Sequence, residues 1–151
     1  MTDRLDPETE ERRRWLSVLA RAPLPEILQA TQGERLPACD IVKPAESGTL
    51  MIEARAGGGG RRFNAGETTM TRCVVRVGER LGFAYALGRD KEKALLCARL
   101  DALLQDEAWR AGLLQRVIEP LEIAQRARRD LASRRAAATR VEFFTMVRGE
   151  G

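Results

Sequence analysis

Residues 71–104 read TRCVVRVGERLGFAYALGRDKEKALLCARLDALL, and the apolar spacing within them changes from two to about four. Residues 71–77 alternate, which predicts a strand with Cys73, Val75 and Val77 on its inner face. A second strand over residues 81–87 follows the Gly78-Glu79 turn and completes an antiparallel hairpin. In this second strand we expect the large side chains to face the core and the small ones to lie behind them. The large set is Leu81, Phe83, Tyr85 and Leu87; the small set is Gly82, Ala84 and Ala86.

The end of the same stretch predicts the clearest helix of the chain. Asp90 is a good N-cap residue, and Glu92 lies in the first turn, where the helix dipole favours a carboxylate. Leucines then recur four, seven and eight positions after the first one, which places them on one face of the helix. They are Leu96, Leu100, Leu103 and Leu104, with Cys97 beside them.

Upstream of the hairpin, alternation predicts two further strands, over residues 38–44 and 49–56, separated by a turn at Glu46-Ser47-Gly48. With the hairpin they make a four-stranded antiparallel meander. At the start of the chain, Asp6-Pro7 predicts a helix that contains Trp15 and ends near Ala22, and residues 25–31 predict a short second helix.

Downstream, residues 106–118 predict a helix, Pro120 interrupts it, and a long basic helix follows over residues 121–138. The apolar stripe of that helix is thin: Ile123, Ala124, Ala127 and Leu131. Residues 140–149, RVEFFTMVRG, predict a terminal strand. We expect one face of that strand to pack on the chain's own fold, and Phe144 and Met146 to meet another subunit, with Phe143 also counted among the interface residues.

The predicted architecture is therefore α+β, in a single domain over residues 1–151. A four-stranded antiparallel meander carries an N-terminal helix, C-terminal helices packed on one face, and a terminal extended strand. No apolar run approaches the length of a membrane helix, and the N-terminus has no apolar signal region, so we expect a cytoplasmic protein.

Composition removes several classes of chemistry. The chain has no histidine, which excludes Ser-His and Cys-His activation and the usual zinc ligand. Cys39, Cys73 and Cys97 are isolated, without metal or redox spacing. Of the carboxylates, only Glu53 and Glu67, near the glycine-rich loop, are candidates for a general base. No set of residues indicates catalysis, and we expect no metal and no cofactor bound by this chain.

Two loops could hold an anion. Gly57–Gly60 precedes Arg61 and Arg62, and backbone N–H groups of a glycine-rich turn bind phosphate, although no Walker A pattern is present. Arg89 and Lys91 lie at a strand-to-helix junction, another natural anion site. The alternatives are a mobile hairpin loop and plain helix capping. The basic helix could follow a nucleic-acid backbone, but no helix-turn-helix, zinc finger or stacking set accompanies it, which favours a solvated or protein-contacting face.

In collinear order, these motifs resemble the PhnG family, whose members are subunits of the bacterial carbon–phosphorus lyase core complex. The resemblance extends over nearly the whole chain. Residues 140–149 look like the family's C-terminal signature, and the ordered set of motifs carries the specificity. The other matching motifs are Trp15-Leu16-Ser17-Val18-Leu19-Ala20, Pro44-Ala45-Glu46-Ser47-Gly48, Ile52-Glu53-Ala54-Arg55, Gly82-Phe83-Ala84-Tyr85, Gly88-Arg89-Asp90-Lys91 and Asp101-Ala102-Leu103.

The resemblance implies a soluble complex containing two copies each of PhnG, PhnH, PhnI and PhnJ. With the ATP-binding partner PhnL, the G, H and I subunits support displacement of adenine from ATP by methylphosphonate. The product is α-D-ribose 1-methylphosphonate 5-triphosphate. PhnI carries the nucleosidase-like activity, and PhnJ cleaves the carbon–phosphorus bond with an iron–sulfur cluster and S-adenosylmethionine. PhnG is a required companion subunit.

Three hypotheses about function remain open at this point. In the first, the chain is an accessory and architectural subunit of the transferase complex, and is not catalytic alone. In the second, it contacts the anionic substrate directly through Arg61, Arg62, Arg89 or Lys91. In the third, it is a small basic nucleic-acid-binding protein, whose affinity would fall steeply with salt.

Overall fold

The computed structural model describes residues 6–139, which form a three-stranded sheet and five α-helices. The strands are Asp40–Arg55 (β1), Arg62–Val77 (β2) and Arg80–Leu87 (β3). The helices are Pro7–Arg21 (α1), Leu24–Thr31 (α2), Lys91–Leu104 (α3), Glu107–Leu113 (α4) and Glu119–Ala138 (α5). A 3₁₀ turn covers Ala56–Gly58, and a π-helical turn, Leu114–Ile118, joins α4 to α5. The α+β class predicted from the sequence is thereby confirmed.

The sheet is antiparallel in the order β1-β2-β3, with β2 in the centre. The predicted β2–β3 hairpin is present, and Gly78 in its turn has a φ of 60°, a left-handed conformation that glycine adopts without strain. The predicted hairpin and its glycine turn are correct.

The prediction of four strands is wrong, because residues 38–44 and 49–56 belong largely to one long strand. Glu46, Ser47 and Gly48, predicted as a turn, pair with Arg72, Thr71 and Met70 of β2. The irregularity near Pro44 is absorbed by register shifts between Ile41 and Glu46. Proline is tolerated here because β1 is an edge strand of the described sheet. Strand β2 begins already at Arg62, in a region predicted as a loose loop, and supplies the partner for the full length of β1.

The core lies between the sheet and the helices. The leucine stripe of α3 packs inward as predicted, with Leu100, Leu103 and Leu104 buried. Asp90 caps α3 by accepting a 2.9 Å hydrogen bond from the backbone N–H of Lys93. From α1, Trp15 is also buried against this core.

The predicted orientation of β3 is wrong. Gly82, Ala84 and Ala86 face α3 and are buried, whereas Tyr85 is 55% exposed. The cause is the close approach of α3: a β-carbon at residue 82 would lie 1.9 Å from the carbonyl oxygen of Ala98. Only small side chains fit under α3, so the large ones turn to the opposite face. Those outward residues are Leu81, Phe83, Tyr85 and Leu87.

The prediction for the basic helix needs two corrections. Pro120 does not interrupt the helical path; it lies in the first turn of α5, after the wider π turn, where its missing N–H is tolerated. The apolar stripe does not face the fold: Ile123 is 67% and Leu131 49% exposed, while Leu121 and Gln125 are the buried residues of α5. The predicted terminal strand, with Phe143, Phe144 and Met146, lies outside the described residues.

Candidate functional site

The face of the sheet that points away from α3 is largely apolar, and no element within residues 6–139 covers it; we call it the open sheet face. Its exposed side chains include Leu50 and Ile52 of β1 and Leu81, Tyr85 and Leu87 of β3, each between 41% and 55% exposed. Met70 and Val74 of β2 lie between them at intermediate burial. Exposed apolar side chains on this face therefore come from both outer strands, with Met70 and Val74 between them, and such a group on a soluble protein marks an interaction site.

A groove of about 330 Å³ crosses the open sheet face. Its charged members, Glu46 and Arg72, face each other on neighbouring strands with 3.5 Å between their charged groups. Both side chains are more than half exposed, so this ion pair contributes little to stability. Both charges are therefore available to a partner. The groove is lined by Glu46, Ser47, Gly48, Thr49, Leu50, Met70, Arg72 and Tyr85.

Beyond the end of β3, strands β1 and β2 continue alone as a two-stranded ribbon, residues 49–69, which we call the hairpin arm. Seven residues of β1 extend past the paired Met70 and Leu87, roughly 23 Å of strand. Met51, at 59% exposure, alternates with Leu50 and Ile52 and therefore lies on the other face of the arm. Phe63 is 51% exposed near the tip. A two-stranded ribbon is marginally stable in water, and this one has apolar side chains on both faces.

The structure does not bring the predicted anion-binding residues together. Arg61 and Arg62 lie exposed at the tip of the hairpin arm, where Arg62 is 3.5 Å from Glu53. Arg89 and Lys91 lie exposed at the start of α3, next to Thr69, whose carbonyl accepts a hydrogen bond from Gly88. Seven residues of β2, roughly 23 Å, separate Arg62 from Thr69. The four cations therefore form two separate pairs.

Among the residues that the structure describes, the fully buried Asp101 of α3 has the most side-chain hydrogen bonds. Its carboxylate accepts hydrogen bonds from Trp15 Nε1 at 2.8 Å and from the backbone N–H of Phe83 at 2.9 Å. Arg12 binds it through both Nε and Nη2, at 3.2 and 2.8 Å. The carboxylate thus joins α1, the free edge of β3 and α3. Its donors come from the chain itself, which indicates a structural role.

Lys93 is a second buried charge, 6% exposed, and its Nζ donates to the carbonyl oxygens of Ala20 at 2.9 Å and Leu87 at 3.4 Å. Burial lowers the pKa of Lys93. Next to it, burial raises the pKa of Cys97 to about 12, and the Cys97 thiol donates a weak hydrogen bond to the carbonyl oxygen of Leu19. Burial also raises the pKa of Cys73. These two thiols behave as small core residues and not as nucleophiles.

The described residues offer little to acid–base or metal chemistry. Glu53 and Glu67, the candidates for a general base, both lie exposed on the hairpin arm, without the burial that tunes a carboxylate for catalysis. No group of three or more His, Cys, Asp or Glu side chains within residues 6–139 is placed to hold a metal ion. In the same part of the chain, no helix has the length and apolar composition needed to cross a membrane.

Sequence reasoning missed the open sheet face and the Asp101 cluster for different reasons. Alternation identified the large set in β3 correctly but placed it inside. The signal that could have corrected this is the run of small residues Ala94, Ala98 and Ala102 on α3, which matches the small face of β3. The Asp101 cluster joins residues up to 89 positions apart, and no local pattern indicates such a contact.

Comparison with known proteins gives two findings. The model of the family described as "Phosphonate metabolism protein PhnG" matches residues 10–149. A curated protein of Rhizobium meliloti (strain 1021), named "Alpha-D-ribose 1-methylphosphonate 5-triphosphate synthase subunit PhnG", is 42% identical over 152 residues. That similarity covers 96% of this chain and 94% of the relative.

Proposed function

Because the chain belongs to the PhnG family of phosphonate metabolism proteins, we propose that it is the PhnG subunit of a synthase complex and docks there through its open sheet face. The name of the Rhizobium meliloti relative, a synthase subunit, supports membership of such a complex. The open sheet face is the single observation that carries the docking mode. Subunit interfaces are enriched in apolar and aromatic side chains and in arginine, and this face exposes Leu50, Tyr85 and Arg72.

In the finer form of the proposal, the partners are PhnI, PhnH and PhnJ in the core, with two copies of each subunit, and PhnL as the ATP-binding component. ATP and methylphosphonate are substrates of the complex, and adenine is released. This chain itself binds no cofactor and supplies a docking surface. Support comes from the family and from the buried, internally satisfied state of Asp101 and Lys93, the two buried charged residues between positions 6 and 139.

The test is co-purification of the complex with variants of the open sheet face. Tyr85→Glu and, separately, Leu50→Glu should each reduce recovery of the other subunits at least tenfold, because each change replaces apolar contact area with a carboxylate that the interface would have to desolvate. Both positions are exposed in the chain alone, so its circular dichroism and unfolding midpoint should stay close to those of the wild type.

Leu28→Glu is the matched control, since Leu28 is also exposed, at 45%, but lies on α2, away from the sheet. It should leave assembly unchanged. Normal assembly of both sheet variants would contradict docking through the open sheet face.

A second candidate role is direct contact with the anionic substrate. It is favoured by the exposed position of the two cations Arg89 and Lys91 on either side of Asp90 at the start of α3. Arg61 and Arg62 remain candidates at the arm tip. Arg89→Ala with Lys91→Ala should raise the KM of the assembled complex for ATP or methylphosphonate while the subunits still co-purify. Kinetics equal to those of the wild-type complex would exclude the contact.

A further inference from the structure

Helix α5 has an apolar stripe that points away from the body of the protein; we call Ile123, Ala127 and Leu131 the outward stripe. These residues follow each other at spacings of four and therefore share one face of the helix. The two buried residues of α5, Leu121 and Gln125, each lie two positions from Ile123, which places them on roughly the opposite side. Gln125 Nε2 donates a 2.8 Å hydrogen bond to the carbonyl oxygen of Val18, which fixes that side against α1.

Arginines border the outward stripe on both sides. At about 100° per residue, Arg126 lies some 60° to one side of Ile123, and Arg135 lies some 40° beyond Leu131 on the other. Residues 126–138 hold five arginines and one acidic residue, Asp130, so their net charge is five minus one, or +4. Arg126 is 3.7 Å from Glu122, and Arg128 pairs with Glu26. Within residues 6–139, no acidic side chain pairs with the other three, which are Arg129, Arg134 and Arg135.

The second half of α5 receives little support from the rest of the fold. Every side chain from Arg126 to Thr139 is exposed, and the last ion pair that ties the helix to the body is the one at Arg128. The segment extends for about 20 Å, and isolated helices of this length are marginal in water. An apolar stripe on such a segment costs solvation free energy unless another surface covers it.

We propose that the outward stripe binds in an apolar groove rimmed by Asp and Glu side chains on another protein subunit of the complex. This inference rests on the proposed function, since it assumes an assembly. The bordering arginines identify the rim as acidic by charge complementarity, and the spacing of the stripe matches helix-in-groove recognition. A membrane surface is disfavoured because the stripe has only two large apolar side chains and no aromatic one. A nucleic-acid backbone would pair the arginines but leave Ile123 and Leu131 uncovered.

The first experiment is photo-crosslinking in the purified complex, with p-benzoylphenylalanine in place of Leu131 and, as control, in place of the exposed Gln32. We expect an adduct from position 131 to another subunit, mapped by mass spectrometry to an apolar segment that contains Asp or Glu, and none from position 32. Adducts from position 131 only to this chain or its second copy, or to a segment without carboxylates, would overturn the proposal.

The second experiment compares variants by retention in the complex during gel filtration at increasing NaCl. Ile123→Ser with Leu131→Ser should lower the apparent affinity at least tenfold at all salt concentrations. Arg134→Glu with Arg135→Glu should lower the apparent affinity of the chain for the complex at least tenfold at low salt. The affinity that remains should depend less on salt than that of the wild type. Arg13→Glu with Arg35→Glu makes the same change of charge at exposed positions elsewhere and should have little effect.

The outcomes separate the two proposals. If Tyr85→Glu dissociates the complex while the stripe and arginine variants are retained like the wild type, the outward stripe is not an interface and the proposed function stands. If none of these variants affects assembly, docking through the open sheet face, which carries the proposed function, fails as well, although the chain is still a subunit of the complex. Two other results would also overturn the protein-groove proposal: sedimentation of the chain with anionic lipid vesicles, or a gel shift with nucleic acid at low salt, if the binding requires both Ile123 and Leu131.

Discussion

Replacement of Asp101 by asparagine should destabilise the protein far more than a change of one atom normally does. Oδ1 accepts from Trp15 Nε1 and from Arg12 Nε, and Oδ2 accepts from Arg12 Nη2 and the backbone N–H of Phe83. An asparagine amide has one oxygen and one NH₂ group, which only donates. Whichever way the amide turns, its NH₂ group faces at least two donors, so either the buried Trp15 Nε1–H or the part-buried backbone N–H of Phe83 loses its acceptor.

The magnitude follows from these contacts. An unsatisfied buried N–H costs about 1–3 kcal/mol, and loss of a charge-assisted hydrogen bond costs about 1.5–3 kcal/mol. The Arg12 part has to be discounted, because its side chain is 33% exposed and can turn to solvent. We therefore expect Asp101→Asn to lower the free energy of unfolding by about 3 kcal/mol, which at this chain length lowers Tm by about 6–12 °C.

The assay is urea and thermal unfolding followed by circular dichroism in every variant, with tryptophan fluorescence from Trp15 and Trp109 as a second probe where Trp15 is retained. Asp130→Asn is the matched control: the same chemical change at an exposed position on α5 should stay within about 0.5 kcal/mol of the wild type. Trp15→Phe, which removes one donor, should cost less in the Asp101→Asn background than in the wild type. A loss below about 1 kcal/mol for Asp101→Asn would refute the assignment of Asp101 as the polar link between α1, β3 and α3.

Two further predictions test the packing of the core. Gly82→Ala should cost about 3 kcal/mol or more in urea unfolding, because its β-carbon would overlap the carbonyl oxygen of Ala98; Gly33→Ala, with no atom within 4 Å of its β-carbon, is the control. Equal stability of the two variants would contradict the close approach of α3 to β3. Alkylation with iodoacetamide at pH 8, read by mass spectrometry, should modify the half-buried Cys39 first and spare Cys97 until the protein unfolds, since burial raises the Cys97 pKa to about 12. Early modification of Cys97 would show that its burial is wrong.

The helices and the hairpin could be predicted because their signals are local. The cap at Asp90, the leucine spacing of α3 and the Gly78 turn each depend on residues within a few positions. The length of β1 could not be predicted in this way. Glu46-Ser47-Gly48 has the composition of a turn, and only the presence of β2 opposite it, with Ser47 Oγ 2.9 Å from Thr71 Oγ1, keeps it extended.

The faces of β3 and α5 were predicted wrongly for a common physical reason. Periodicity divides the residues of an element into two faces but does not say which face the rest of the fold covers. Hydrophobicity alone predicts that the large apolar side chains of an element face the core. That prediction suits a protein whose apolar surface is buried within its own chain. Here the helix packs closest where β3 is smallest, at Gly82, and α5 is anchored through Gln125. Both packing arrangements leave large apolar residues of β3 and α5 exposed.

The direction of these exposed surfaces limits how the subunit can be assembled. The open sheet face points away from α3, whereas the outward stripe points away from Val18 of α1, to which Gln125 is bound. Because the two faces point away from different helices, α3 and α1, we expect different partner surfaces to cover them. Either one partner wraps around the chain, or two subunits meet it from different sides. If two subunits are involved, Tyr85→Glu and Leu131→Ser should each release a different one. Such a result would identify the chain as a bridge between neighbours, a role that needs no catalytic residue of its own.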